Sequence, residues 1–176
     1  MKRRRVLQAS SVLLAAPLMG CSGQLKTFTT WKQGQEAVLE LLFTPKVVMD
    51  NPWNLSQVLQ HLAQSIEFSM QGFPALKGAW FRSSIGSAAF SVFNARGAMS
   101  HSLDEPIPGA PALDASQALK VSVQRLLDAM EAFANFNGTR RPHFAYGELT
   151  KPQYERAHLM HLANHWTQFQ AKTATA

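Results

Sequence analysis

An all-α domain is what this sequence predicts, on three observations. Five segments carry apolar residues at helical spacing, no stretch alternates apolar and polar residues over a useful strand length, and no segment repeats another. The 176 residues are 46% apolar and 16% charged, enough to bury a sizeable core in one domain. That domain is expected over residues 31–176, with an export signal at 1–20 and a tether at 21–30.

Lys2, Arg3, Arg4 and Arg5 lead into an apolar run over 12–19. The run is far short of the ~20 residues a membrane-spanning helix needs, so residues 1–20 read as a signal peptide. Leu18-Met19-Gly20-Cys21 resembles the lipobox of bacterial lipoproteins, in which the cysteine is linked to diacylglycerol, freed at its amino side and acylated there. Cys21 is the only cysteine of the chain. Arg3-Arg4-Arg5-Val6-Leu7-Gln8 also resembles a twin-arginine export signal, with Val6 where Phe is usual and Gln8 where Lys is usual. An arginine-rich Sec leader is the other reading, and both routes end outside the cytoplasm. The expected location is therefore periplasmic or extracytoplasmic, anchored to the membrane through Cys21. Ser22 is not the Asp of inner-membrane retention, which points to the outer membrane in a two-membrane cell. The mature chain then has no disulfide and no thiol nucleophile, so any metal must be held by His, carboxylate, carbonyl or water.

The first helix is expected over 31–43, with Ala37, Val38, Leu41 and Leu42 as inward pairs, and Pro45 and Pro52 bracket the break after it. Asn54-Leu55-Ser56 opens the second helix, whose stripe is Leu55, Val58, Leu59, Leu62 and Ile66. His61 lies on the flank of that stripe, where it can line a groove or face water. A third helical segment runs over 80–95 through Phe81, Ile85, Ala88, Ala89 and Phe93. Residues 99–111, with three prolines, read as a loop crossing the domain. His101 in that loop sits among Ser100, Ser102, Asp104 and Glu105 and is expected at the surface, silent for metal and stability. The longest helix is expected over 114–136, with a stripe through Leu119, Val123, Leu126, Met130 and Phe133. Residues 140–149 form a loop containing His143.

Thr150 caps the last helix, Gln153 completes a capping-box pattern, and Pro152 is tolerated in the first turn. This helix carries His158, His161 and His165. At ~100° per residue they share a sector of about 100° with Tyr154, Leu162 and Phe169, the width of a core-facing stripe. His161 and His165 stand at i and i+4, the spacing that lets two rings reach one ion from successive turns. A lone histidine there would read as a hydrogen-bonded core residue; three on one stripe favour a metal site.

Most of the net charge of +6 is carried by the leader. Its four basic residues leave 13 Lys and Arg against 11 Asp and Glu, and no basic cluster with interleaved aromatics remains, which argues against nucleic acid.

Three stretches together resemble the DinB/YfiT-like superfamily of four-helix-bundle metal-binding proteins, in its branch of domains of unknown function. They are Trp53-Asn54-Leu55-Ser56-Gln57-Val58-Leu59-Gln60-His61-Leu62-Ala63, His143-Phe144-Ala145-Tyr146-Gly147-Glu148-Leu149-Thr150, and His158-Leu159-Met160-His161-Leu162-Ala163-Asn164-His165. The resemblance implies a four-helix bundle with an additional short helix and a long crossover loop. It implies a divalent ion held by His61, His161 and His165, and it makes His143 a motif residue of unknown role. Phe144 stands where Pro is common and Asn164 where His is common.

Three neutral imidazoles leave coordination positions open, the pattern of catalytic rather than structural sites. Zn, Ni or Fe held this way would acidify a bound water or act as a Lewis acid. His158, one turn from His161, is expected to hydrogen-bond that water, donate to substrate, or serve as a fourth ligand. Glu148 and Glu155 could orient an imidazole or act as a base, or simply pair at the surface. The function expected is that of a metal-dependent hydrolase or transferase on a small substrate. The alternatives are a non-catalytic metal- or ligand-binding lipoprotein and, third, a structural bundle. Expected partners are a small-molecule substrate or ligand, the membrane through Cys21 and, in the homodimer case, a second copy.

Overall fold

The computed structural model describes residues 27–44, 47–49 and 52–171. The export signal, Cys21 and most of the tether lie outside the described residues. The fold is all-α apart from one short ribbon.

Helix α1 (Trp31–Glu40) begins in a capping box: Thr30 accepts from the Gln33 amide, and the Gln33 side chain accepts in return. It buries Ala37 and Val38 against the domain, and Leu41 just beyond its end is buried too. Leu42, expected inward, is at the surface. Gly34 lets a neighbour come close, since a Cβ there would meet Leu162 Cδ2 at 3.0 Å. Helix α2 (Leu55–Gln71) starts in a second capping box, Asn54 with Gln57. Its burial is far wider than its apolar stripe and takes in Ser56, Gln60, His61, Gln64, Ser65 and Ser69.

Helix α5 (Leu119–Asn135) packs along α2, and α6 (Lys151–Trp166) lies across from it, capped by Thr150 and Gln153 as the sequence predicts. Each of α1 and α2 packs on both α5 and α6, so the four helices close a ring around one core. Val38, Val58, Leu59, Leu126 and Met130 fill it, each essentially sealed from solvent. Truncating such a residue to Ala costs about 2–5 kcal/mol. The Trp31 indole N–H donates to the Met130 carbonyl at 3.1 Å and pins α1 to α5.

Three features depart from expectation. Helix α5 starts at Leu119, not Asp114, because Gln60 holds the preceding backbone: its Oε1 accepts from the Asp114 N–H at 2.9 Å and its Nε2 donates to the Asp114 carbonyl at 2.8 Å. The third helical segment is not one α-helix. A short piece, α3 (Ala79–Phe81), passes through a π-helical turn at Arg82–Gly86 into α4 (Ser87–Arg96). One extra residue in a turn rotates the rest of the helix by about 100°, so Phe90 is the buried residue of α4 while Ile85 is exposed. Finally, a two-stranded antiparallel ribbon joins β1 (Val47–Met49) to β2 (Phe169–Ala171), so the last helix ends at Trp166. Among the described residues no helix is long and apolar enough to cross a membrane.

Candidate metal centre

Two successive turns of α6 and the middle of α2 bring three imidazoles to one point. His61 Nε2 lies 3.2 Å from His161 Nε2, and His165 Nε2 lies 3.1 Å from that same atom. The three candidate ligand atoms all fall within 4.8 Å of one another, and no carboxylate joins them among the described residues. His61 and His165 are buried and His161 half-buried. The flank position of His61 on α2 is thus a groove position, facing α6.

Hydrogen bonding does not satisfy this cluster. A neutral imidazole has one N–H and one lone pair. His161 Nε2 sits between two other Nε2 atoms, so it completes one good bond and leaves the other contact poorly paired. His61 Nδ1 is buried with no partner. Protonation offers no relief. Burial first, and His101 second, push His61 down to about 4. Burial, then the neighbouring rings, hold His161 and His165 well below the usual histidine value. Three neutral rings therefore bring lone pairs within reach of one another, a donor set that could hold a metal ion. Nitrogens about 2.0–2.1 Å from a shared tetrahedral ion stand roughly 3.3–3.4 Å apart, close to the spacings observed.

Gln168 completes the fit. Its Nε2 donates to His165 Nδ1 at 3.2 Å, and its Oε1 is left buried without a partner. With the amide turned over, Oε1 accepts from Nδ1–H and the His165 lone pair lies on Nε2, facing His161. Sequence reasoning passes over Gln168, although its i+3 spacing from His165 marks it as a helical neighbour.

His101 corrects the sequence reading. It is exposed, as expected, but it is not remote: its ring centroid lies 4.9 Å from that of His161 and 5.6 Å from that of His165. Its Nδ1 is 2.6 Å from the Ser102 carbonyl oxygen, which can only accept, so the proton sits on Nδ1 and the lone pair on Nε2.

The remaining histidines form a second group. Ser69 Oγ donates to the Ile66 carbonyl at 2.6 Å, so His158 Nε2, 3.3 Å away, donates to Ser69 Oγ. Burial lowers His158 to about 3. Tyr154 stacks on it at 5.5 Å. His143 accepts at Nδ1 from the backbone N–H groups of Ala145 and Tyr146, both at 3.1 Å. Its short loop is closed by paired bonds between His143 and Gly147, whose φ of 80° suits glycine.

A cavity of about 230 Å³ runs between the two groups, lined by His61, His101, His143, His158 and His161. Lys77 and Glu105 also line it, while Glu148 and Glu155 do not. The π turn helps shape the wall: Gly86 lies so close to the Ala145 carbonyl that a Cβ would collide with it.

The chain matches a family described as protein of unknown function (DUF1569) over residues 26–172. No curated protein and no solved structure matches it.

Proposed function

The chain belongs to the DUF1569 family of proteins of unknown function, and from its site we propose a metal-dependent enzyme acting on a small substrate. The fold proposed is the DinB-like four-helix bundle, supported by the ring of α1, α2, α5 and α6 and by the three quoted motifs. The observation that carries the function is the convergence of three Nε2 atoms with no adequate hydrogen-bond solution, beside an open cavity.

His61, His161 and His165 would hold a divalent ion such as Zn, Ni or Fe. When bound, that ion supplies Lewis acidity for hydrolytic or transfer chemistry. Gln168 orients His165. His158, committed to Ser69, positions the wall of the cavity and is not a fourth ligand in this arrangement. The apolar walls exclude bulk water from a bound substrate, which strengthens polar contacts inside.

The test is metal content followed by turnover. Purified protein equilibrated with Zn²⁺, Ni²⁺ and Fe²⁺ in turn should retain one ion per chain after gel filtration, and one loaded form should hydrolyse or transfer within a panel of small esters, amides and thiols. Bound metal with no turnover would favour the binding-lipoprotein reading; no bound metal would leave a ligand-binding lipoprotein or the structural bundle. We also propose an extracytoplasmic, lipid-anchored location, supported by the lipobox sequence at Cys21. Cys21→Ala should abolish lipid labelling, and membrane attachment by an acyl chain elsewhere would refute the anchor.

A further inference from the structure

The metal reading leaves His143 without a task, yet its ring chemistry is the most closely defined of the six histidines. Two backbone N–H groups converge on Nδ1, so that nitrogen carries the lone pair. Burial keeps the ring neutral, which places its one proton on Nε2. The plane of the ring is fixed by Tyr146, stacked at 4.2 Å and 7°, and by Phe144 at 4.6 Å. Among the described residues Nε2 has no hydrogen-bond partner, and it is not one of the sealed unpaired polar atoms, which are His61 Nδ1 and Gln168 Oε1. The ring lines the same cavity as His61 and His161. An oriented, unused N–H donor thus borders the space in front of the candidate metal centre.

We propose that His143 Nε2–H anchors the carbonyl oxygen of a small, uncharged ligand whose apolar body lies against Phe81, Phe144 and Tyr146. The donor is neutral, and the adjoining walls are aromatic and aliphatic. A buried carboxylate would need a buried cation beside it, whereas a carbonyl needs one good donor. Lys77 is exposed, its ammonium 4.8 Å over the Phe81 ring. The cavity is smaller than the ~300–1,000 Å³ typical of drug-sized ligands, which limits the ligand to a few heavy atoms beyond one ring. That the ligand's other end faces a metal rests on the reading above; the His143 contact does not.

Acetophenone and α-methylstyrene make a discriminating pair, because they share a shape and only the first has an acceptor oxygen. With the full chain labelled by ¹⁵N-histidine, two-bond spectra should place the His143 proton on Nε2, and acetophenone should move that proton's resonance downfield. Acetophenone should bind about five- to tenfold more tightly than α-methylstyrene. His143→Phe should abolish the preference while keeping α-methylstyrene binding, and His143→Gln, which restores an N–H donor, should recover part of it. Chelator-treated, metal-free protein should show the same preference, while metal uptake is measured separately, so the two readings fail independently. The proposal is overturned by a proton on Nδ1, by equal affinities, by no binding of either probe to the wild type, or by a preference that survives His143→Phe. The spectra of the wild type decide the tautomer even if a variant misfolds.

Discussion

The two histidine groups are alike in burial and opposite in hydrogen bonding. His61, His161 and His165 meet Nε2 to Nε2, with a stranded nitrogen on His61. His143 and His158 have their tautomers set by backbone amides and by Ser69. Burial depresses the proton affinity of both groups, so desolvation does not single out the candidate metal centre. Crowded lone pairs without donors do. A buried polar network is at its most informative where it is left unsatisfied.

The largest expected effect tests what the two groups share. His61 is held at about 4 and His158 at about 3, against about 6.5 unfolded. Between these values the native chain binds fewer protons than the unfolded one. Their contribution to stability is therefore fully present above the unfolded value and lost as pH falls through the window towards 4 and then 3. Each contributes about 1.4 kcal/mol per pH unit, so together they should remove roughly 5 kcal/mol between pH 6.5 and 4.5. Urea unfolding at the two pH values measures this, and a flat profile would show that the rings are not held neutral. Saturating Zn²⁺ should raise stability without flattening this slope, because bound metal keeps the triad unprotonated in the native chain.

The next effect separates the groups. His161→Ala should weaken Zn²⁺ binding by at least about 100-fold in competition with a chromophoric chelator, because it removes the central ligand. His158→Ala should keep the metal and lose about 2–4 kcal/mol of stability, through a cavity and an unpaired Ser69. Equal metal loss in both would erase the distinction. A smaller effect is expected at the triad's outer support: Gln168→Leu should weaken metal binding about ten- to 100-fold with little change in unfolding. Smallest is His101→Ala, expected to change metal affinity by less than about tenfold, since His101 lies beside the triad without joining its ligand atoms.

Much of this is legible in the sequence because it is local. Capping boxes at Thr150 and Asn54, the i, i+4 pair on α6 and the apolar stripes of α2 and α5 are written in near-neighbour spacing. His61 takes its assignment from a family resemblance, since its flank position alone is ambiguous. The hidden features depend on distant partners. Nothing near His101 says that a proline-rich loop will fold back over α6. Gln60 reaches 54 residues along the chain to delay the start of α5. The π turn depends on the fit of Gly86 under the Ala145 carbonyl, and the ribbon on pairing across the whole domain.

One aromatic contact brings the start of the described chain beside the end of α6, and that ribbon ties the last described residues to the stretch after α1. Phe28 meets Trp166 edge-on at 5.4 Å, and β2 lies beside β1. A chain trimmed to residues 27–171 can be circularly permuted: a linker joins Thr27 to Ala171, and new ends are cut in a surface turn such as residues 137–140. The cut would fall between α5 and α6, so His61 would come after His161 and His165 in chain order while all four helices kept their neighbours. Metal uptake by such a permutant would establish that the centre depends on where the helices stand and not on the order in which they are threaded.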